Sequence, residues 1–461
     1  MKHIYTPFLF IAFFFSTFSF GQAIESGYYH GLTLCGDSLA QTWGWNSYGQ
    51  LGNGSNTTTN FPVSVSSLTG IAMIKGGAFH SLVLMNNGTV RAFGRNTVGQ
   101  LGIGSFANSN VPVQVNTITG ITAVAAGGNH SMALKNDSTV YTWGFNNAGQ
   151  LGNNSTTTSN IPVHLTSLTG VVSICAGGYY SVVLKKDSTV WTWGRNSSGQ
   201  LGIGNYTDSH VPVQVVGLTS VVAIYCGDRQ VFAVKSDSTV WAWGGNDYGQ
   251  LGIGIVGDTC LPVQVNSLTG VKKFAGGGNH TLLLKNDSTV WVCGDNYYGQ
   301  LGNGTTNDTS VFVQLDSLTS IIDIAAGARH SLALKSDGAG LGWGANSDGE
   351  ICNGIYNIDT LTPVPTLTWC SVTTAENEIE KSTGISVFPD PSEGIFQLKM
   401  DNPVSDKSLL EIYNAFGEKI YSSALDNSTT TIDLSGKAEG IYFLRITSGG
   451  KVYLRKIIVA R

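Results

Sequence analysis

Charge is scarce in this 461-residue chain: Asp, Glu, Lys and Arg make up only 12% of it, and the net charge is −5. No basic run is present, so nucleic acid binding has no electrostatic footprint. Proline is sparse too, 11 residues against 59 glycines, a balance that fits a turn-rich β protein rather than helices or disorder. The apolar run Phe8 to Phe15 is far shorter than the ~20 residues a bilayer-spanning helix needs, so no transmembrane segment is expected. The seven cysteines (35, 175, 226, 260, 293, 352 and 370) include no C-x-x-C pair, which removes the usual zinc spacing. No Gly-x-Ser-x-Gly, Walker loop or repeated carboxylate pair appears. No catalytic residue, cofactor or metal is therefore assigned, and the chain is not expected to be an enzyme.

The N-terminus carries a targeting pattern. Lys2 and His3 precede the apolar run, and Ser19-Phe20-Gly21 supplies small residues for a cut after Gly21 or Ala23. Residues 1–21 thus have the form of a secretory signal peptide. Export places the cysteines where disulfides can form, although an odd number leaves at least one thiol unpaired.

What dominates the rest is repetition. Trp43-Gly44-Trp45-Asn46-Ser47-Tyr48-Gly49-Gln50-Leu51-Gly52 returns every fifty residues, seven times in all, and the glycines at 44 to 344 and asparagines at 46 to 346 never change. A fixed period of this size marks one supersecondary unit copied around a ring or along a solenoid. In the third copy, Ile121 to Ala126, His130 to Lys135 and Thr139 to Trp143 have strand patterns separated by Gly127-Gly128-Asn129 and Asn136-Asp137-Ser138. Pro162-Val163-His164-Leu165 reads as a fourth, edge strand, because proline cannot donate to a central ladder. Seven four-stranded units predict an all-β, seven-bladed propeller over residues 22–373.

Within each unit the fixed residues have structural reasons. Gly44 ends a strand where a side chain would obstruct the turn. Asn46 is expected to bond its own backbone in an Asx-type turn, and Leu51 to fill the space between blades. A second element, Gly-x-x-His, ends at His30, His80, His130, His280 and His330, with Tyr180 and Gln230 in the other two copies. Tyrosine and glutamine are poor metal ligands, so the expected role is a part-buried hydrogen bond to backbone within each blade.

Together the two elements resemble the repeats of the regulator of chromosome condensation family, over about residues 23–370. The resemblance implies a seven-bladed propeller. That family's known nucleotide exchange depends on an inserted wedge and a basic tail, which the uniform spacing and exported start do not provide. Exported bacterial propellers of this type that inhibit β-lactamases through aromatic residues on one face are the nearer functional analogue.

Beyond the polar linker at 374–384 the fifty-residue phrase stops. Ile385-Ser386-Val387-Phe388-Pro389-Asp390-Pro391-Ser392-x-Gly394-x-Phe396, Ile412-Tyr413-Asn414-x-x-Gly417, Ile432-Asp433-Leu434-Ser435 and Gly440-Ile441-Tyr442-Phe443-Leu444 resemble the type A sorting domain of the type IX secretion system. That resemblance implies a small β-sandwich over 385–461, recognised by the outer-membrane translocon of a Gram-negative bacterium, and delivery to the cell surface or medium. Asp390 stands where asparagine is usual, a small change at a turn.

Three slots inside the fixed phrase vary from copy to copy. They hold Tyr29, Phe79, Tyr179, Arg229 and Arg329 before the histidine slot, Trp45, Arg95, Phe145 and Arg195 after the glycine, and Tyr48, Tyr248 and Tyr298 three further on. Packing does not dictate them, and Tyr, Trp and Arg are frequent interface anchors. They form the candidate binding face of an interaction module whose ligand is a protein or a glycan, so that an adhesin and a secreted inhibitor are both open. An enzyme would need exceptions to the repeat, such as Asp228, Arg229, Asp295, Arg329 and Asp348, which are otherwise expected to be solvated loop residues. Finally, few residues precede Gly27 after cleavage, so Leu367 to Thr373 is expected to supply the missing strand of the first blade. That closure would bring Cys35 and Cys370 within disulfide reach; two free thiols are the alternative.

Overall fold

The computed structural model describes residues 23–36, 38–266, 268–367, 385–389, 392–400, 408–414, 419–425, 427–448 and 451–460. The chain divides into two compact units, residues 1–370 and 371–461. In the first, the described residues form seven four-stranded antiparallel sheets and no helix. The third copy is built of Ile121–Ala126, His130–Lys135, Val140–Gly144 and Ser159–His164, in that spatial order. The inner strands of all seven sheets surround a central channel of about 810 Å³. The proline-bearing strand is outermost, where its missing N–H breaks no ladder.

Each second strand is buried along nearly its whole length, because both of its faces lie against neighbouring blades. Leu201 shows the packing: it sits in one core with Val182, Leu184 and Trp243, side chains of two successive blades. Gly44 adopts φ +98, and a Cβ there would come within 2.6 Å of the Tyr29 carbonyl, so the turn requires glycine.

The first blade closes differently from the expectation. Ala23–Ser26 is its inner strand, paired in register with Gly31 to Leu34, and Ile24 is fully buried. Four residues suffice, so the slot assigned to Leu367 to Thr373 is already filled. Leu367 instead donates its N–H to the Cys352 carbonyl at 2.6 Å, and the residues after it lie outside the described residues. Cys35 is disulfide-bonded, while Cys370, its expected partner, is outside the described residues. A second disulfide, Cys175–Cys226, was not anticipated. It joins the inner strands of the fourth and fifth blades across a Cα separation of 6.0 Å, and its two residues sit one register position apart in successive copies.

The histidines stitch blade to blade rather than bonding backbone within a blade. His80 Nε2 lies 2.9 Å from Ser131 Oγ of the next blade. Ser131 donates its proton to the Gln100 carbonyl at 2.8 Å, and the Trp143 indole N–H donates to the same oxygen at 2.9 Å. The serine proton being used, His80 Nε2–H must be the donor, which leaves Nδ1 a bare lone pair. Nδ1 indeed has no partner, since Gly77 packs against that edge of the ring. His30, His130 and His280 repeat the bond to Ser81, Ser181 and Ser331. At the seam of the ring Gly31 stands in place of the serine, and the Trp43 ring occupies the space a Cβ would take, 2.2 Å away. Ser26 takes over and meets His330 Nε2 at 2.9 Å. Tyr180 and Gln230 also donate across their seams, to the carbonyls of Gln230 and His280 at 2.7 and 3.0 Å. The slot demands a buried donor, and no metal site is needed to explain it.

The second unit consists of a three-stranded sheet (Ile385–Phe388, Ile395–Met400, Thr429–Asp433) and a four-stranded sheet (Lys419–Leu425, Ser408–Asn414, Gly440–Ser448, Lys451–Val459). Phe396, Leu398 and Ile432 of the first share one core with Leu410, Ile412, Leu444 and Ile457 of the second, the sandwich arrangement.

Burial lowers the pKa of His30, His80, His280 and His330 to about 3 and that of His130 to about 4. A histidine whose folded pKa is depressed contributes stability that is intact above its unfolded pKa of about 6.5 and is lost as pH falls toward the folded value. Five such groups act together, so the propeller is predicted to unfold in acid with a midpoint well above pH 3, followed by tryptophan fluorescence. Residues 371–461 contain no histidine and lack this term, so loss of the two units at one common pH would contradict it.

Candidate functional site

In an antiparallel four-stranded meander, the turn between strands one and two and the loop between strands three and four emerge at the same end. Every variable slot therefore lies on one face of the propeller. Asn46 organises the long loop there more widely than an Asx turn would. Its Oδ1 accepts the Leu51 N–H at 3.0 Å, and its Nδ2 donates to the Ser55 and Thr57 carbonyls at 2.9 and 3.1 Å. The loops are held rigidly, and the slots they carry are free to differ.

On blades 1 and 2 those slots converge. Tyr29 stacks on Phe79 at 5.7 Å between centroids, and Trp45 meets Tyr29, Tyr48 and Phe79 edge-on at 5.6, 5.5 and 5.3 Å. The Arg95 guanidinium lies over the Tyr48 and Phe79 rings at 5.2 and 5.5 Å. All five side chains are half-buried, so a preformed aromatic patch stands at the surface. A smaller group joins Phe145, Tyr179 and Arg195. A third joins Arg329 to Tyr298 through a 3.0 Å hydrogen bond and a ring contact. Arg229 is engaged by Asp247 and Asn279, and the exposed Tyr248 joins none of these groups.

Three further sets were not legible as sites. Positions equivalent to 28 hold glycine or alanine except at Tyr28 and Asp228, and these two meet across the channel, hydroxyl to carboxylate. Burial, reinforced by the Asp228 charge, raises the Tyr28 pKa, and burial likewise raises that of Asp228. Asp228 is thus a partnered channel residue rather than a solvated loop residue. Deeper in the channel, Glu25 pairs with Lys75, and Lys273 pairs with Asp323 at 2.7 Å. Burial opposes the Lys273 charge, but Asp323 and Glu25 together hold its pKa above the ordinary lysine value. Among the described residues no group of His, Cys, Asp and Glu converges as a metal site.

The last set is at the seam between blades 7 and 1. Glu350 stands where six copies have glutamine and is 2% exposed. Its Oε2 accepts the Asp348 N–H at 2.8 Å, as Gln50 Oε1 accepts the Tyr48 N–H. The loop it anchors, from Gly344 to Thr360, is one residue longer than its six counterparts, a small departure from the uniform spacing. Burial raises the Glu350 pKa to about 7.

A model of the RCC1-like domain matches residues 121–381, and regulator of chromosome condensation (RCC1) repeats match 42–84, 87–134 and 71–100. The chain belongs to the RCC1-like family. Residues 386–460 match the secretion system C-terminal sorting domain, which directs export to the cell surface or medium and implies interaction with the type IX secretion machinery. No curated protein matches the chain. Among solved structures, yeast RCC1 (Prp20) bound to Kap60 is 22% identical with a TM-score of 0.66, covering 72% of this chain and 84% of that one. Prp20p from Saccharomyces cerevisiae, studied for its binding to Gsp1p and histones, is 22% identical with a TM-score of 0.66, covering 76% and 88%. Human WBSCR16 is 23% identical with a TM-score of 0.64, covering 71% and 94%. At these identities the likeness establishes the RCC1 propeller fold.

Two outcomes test this description. Trp193, fully buried, should cost about 3–5 kcal/mol on Trp193→Ala, whereas Trp45→Ala with Tyr48→Ala should cost far less in denaturant unfolding. Glu350 has a folded pKa raised above its ordinary 4.5, so stability is highest while it is protonated in both states and falls as pH rises from about 4.5 through about 7. Glu350→Gln should match the wild type near pH 4 and exceed it at pH 8 by roughly 3 kcal/mol, measured as the pH dependence of the unfolding midpoint.

Proposed function

We propose that this exported RCC1-like propeller is a protein-binding module, and that the patch of Tyr29, Trp45, Tyr48, Phe79 and Arg95 is its anchor. The observation that carries this reading is the concentration of five mutually packed side chains on two adjacent blades. Large rings already fixed by their neighbours lose little entropy on docking, and arginine–aromatic groups of this kind dominate protein interfaces. A glycan-binding adhesin would present a shallow aromatic pocket on each blade for weak multivalent binding. Here the aromatic content is uneven around the ring, which favours a single protein partner, with inhibition of a secreted or surface enzyme as one form of it. Chemistry in the channel is disfavoured because its charges are spent on one another, Lys75 on Glu25 and Lys273 on Asp323. Nucleotide exchange is not carried over, since the long loops differ by one residue at most.

A photocrosslinking amino acid placed at position 48 of the full chain should yield a discrete protein adduct on producing cells or in their medium, and one at exposed position 137 on the opposite face should not. Equal yields, or glycan-array binding with no protein adduct, would overturn the reading. A chain ending near Thr374 should fold yet stay in the periplasm; its appearance at the surface would remove the role given to the tail.

A further inference from the structure

The seam between blades 7 and 1 holds a cavity of about 210 Å³ that opens on the same face as the aromatic patch. Tyr28, Tyr29 and Tyr298 supply aromatic walls, Glu350 and Asp359 supply carboxylates, and Arg329 stands at the side. Glu350 is nine-tenths buried, its Oε2 accepts the Asp348 N–H, and among the described residues no cationic side chain forms an ion pair with it. Asp359 keeps one oxygen on the Asn346 N–H at 3.1 Å. Arg329 is turned away onto the Tyr298 hydroxyl and ring, so it does not neutralise Glu350.

We propose that this cavity is a subsite for a primary ammonium group. A buried carboxylate with no cation paired to it is costly unless a cation reaches it, and aromatic rings beside it favour an ammonium through their negative faces. A metal ion is the poorer occupant: the carboxylates do not converge as a ligand set. The repeat supplies the internal contrast. The other six copies place a neutral glutamine here, and only in the seventh, with its longer loop bringing Asn357 and Asp359 to the cavity, does a carboxylate take that place. Tyr29 belongs both to the cavity and to the aromatic patch. An ammonium bound here could therefore be a lysine side chain of the partner proposed above, or a free small amine.

Saturation-transfer NMR on the full chain at pH 8, with n-butylammonium as the probe and n-butanol as its neutral counterpart, tests the subsite without any partner. Butylammonium should bind, butanol should not, and Glu350→Gln should weaken the amine at least fivefold. Because glutamine occupies the equivalent position in six blades, that variant is expected to fold, and an unchanged circular dichroism spectrum checks it. Asp137→Asn, on the opposite face, should leave amine binding unaltered. Equal signals from butanol, or undiminished amine binding in Glu350→Gln, would overturn the subsite, and neither result depends on whether the aromatic patch binds a protein. The source is separated by the crosslink at position 48. Its yield falls in Glu350→Gln if the ammonium belongs to the partner, and is unchanged if it belongs to a free amine.

Discussion

The propeller depends on directional hydrogen bonds buried at every blade seam, in their fullest form at three of the seven: a neutral imidazole donating to a serine hydroxyl, which donates to a carbonyl shared with a tryptophan indole. Sheets that meet only through apolar side chains could slide on one another, whereas this chain of directional bonds sets their register. Its cost is a bare Nδ1 lone pair and a histidine that cannot accept a proton while buried. Gly77 and its copies are the geometric counterpart, leaving room for the ring against the turn. Where the serine is missing, at Gly31, the neighbouring strand supplies Ser26, so the ring closes by the same chemistry through a different residue.

That rigidity explains how function can be distributed unevenly on a regular frame. In six blades Asn46 and its copies hold the long loop at three backbone points, and Asn346 holds the seventh at two, so the loop is fixed without the adjacent variable slots. Two blades have filled those slots with five packed side chains, four rings and an arginine, while smaller ring–arginine groups sit on blades 3 and 4 and on blades 6 and 7. The seam between blades 7 and 1, where a glutamate replaces glutamine, is the place where the frame itself departs from its own pattern.

The channel illustrates the opposite use of exceptions. Tyr28 and Asp228 break a glycine–alanine slot on opposite sides of the ring and satisfy each other, as Glu25, Lys75, Lys273 and Asp323 do below them. Burial makes an unpaired charge costly, so polar intrusions into an apolar inner wall occur as matched sets. Each member alone reads as a surface residue.

Period, strand count, edge proline and the sorting tail were legible in the chain because each is a local or recurrent pattern: turn chemistry, alternation and motif spacing act within a few residues of themselves. The variable slots could be placed on one face for the same reason, since strand alternation fixes which turns share an end. What only the tertiary structure decided were relations between blades. That His80 bonds Ser131, that Tyr28 meets Asp228, that Cys175 pairs with Cys226 and that Ala23–Ser26 completes the first blade all depend on side chains brought together by closure of the ring. A repeat reports its own interior faithfully, and it carries no record of which exception in one copy will face which exception in another.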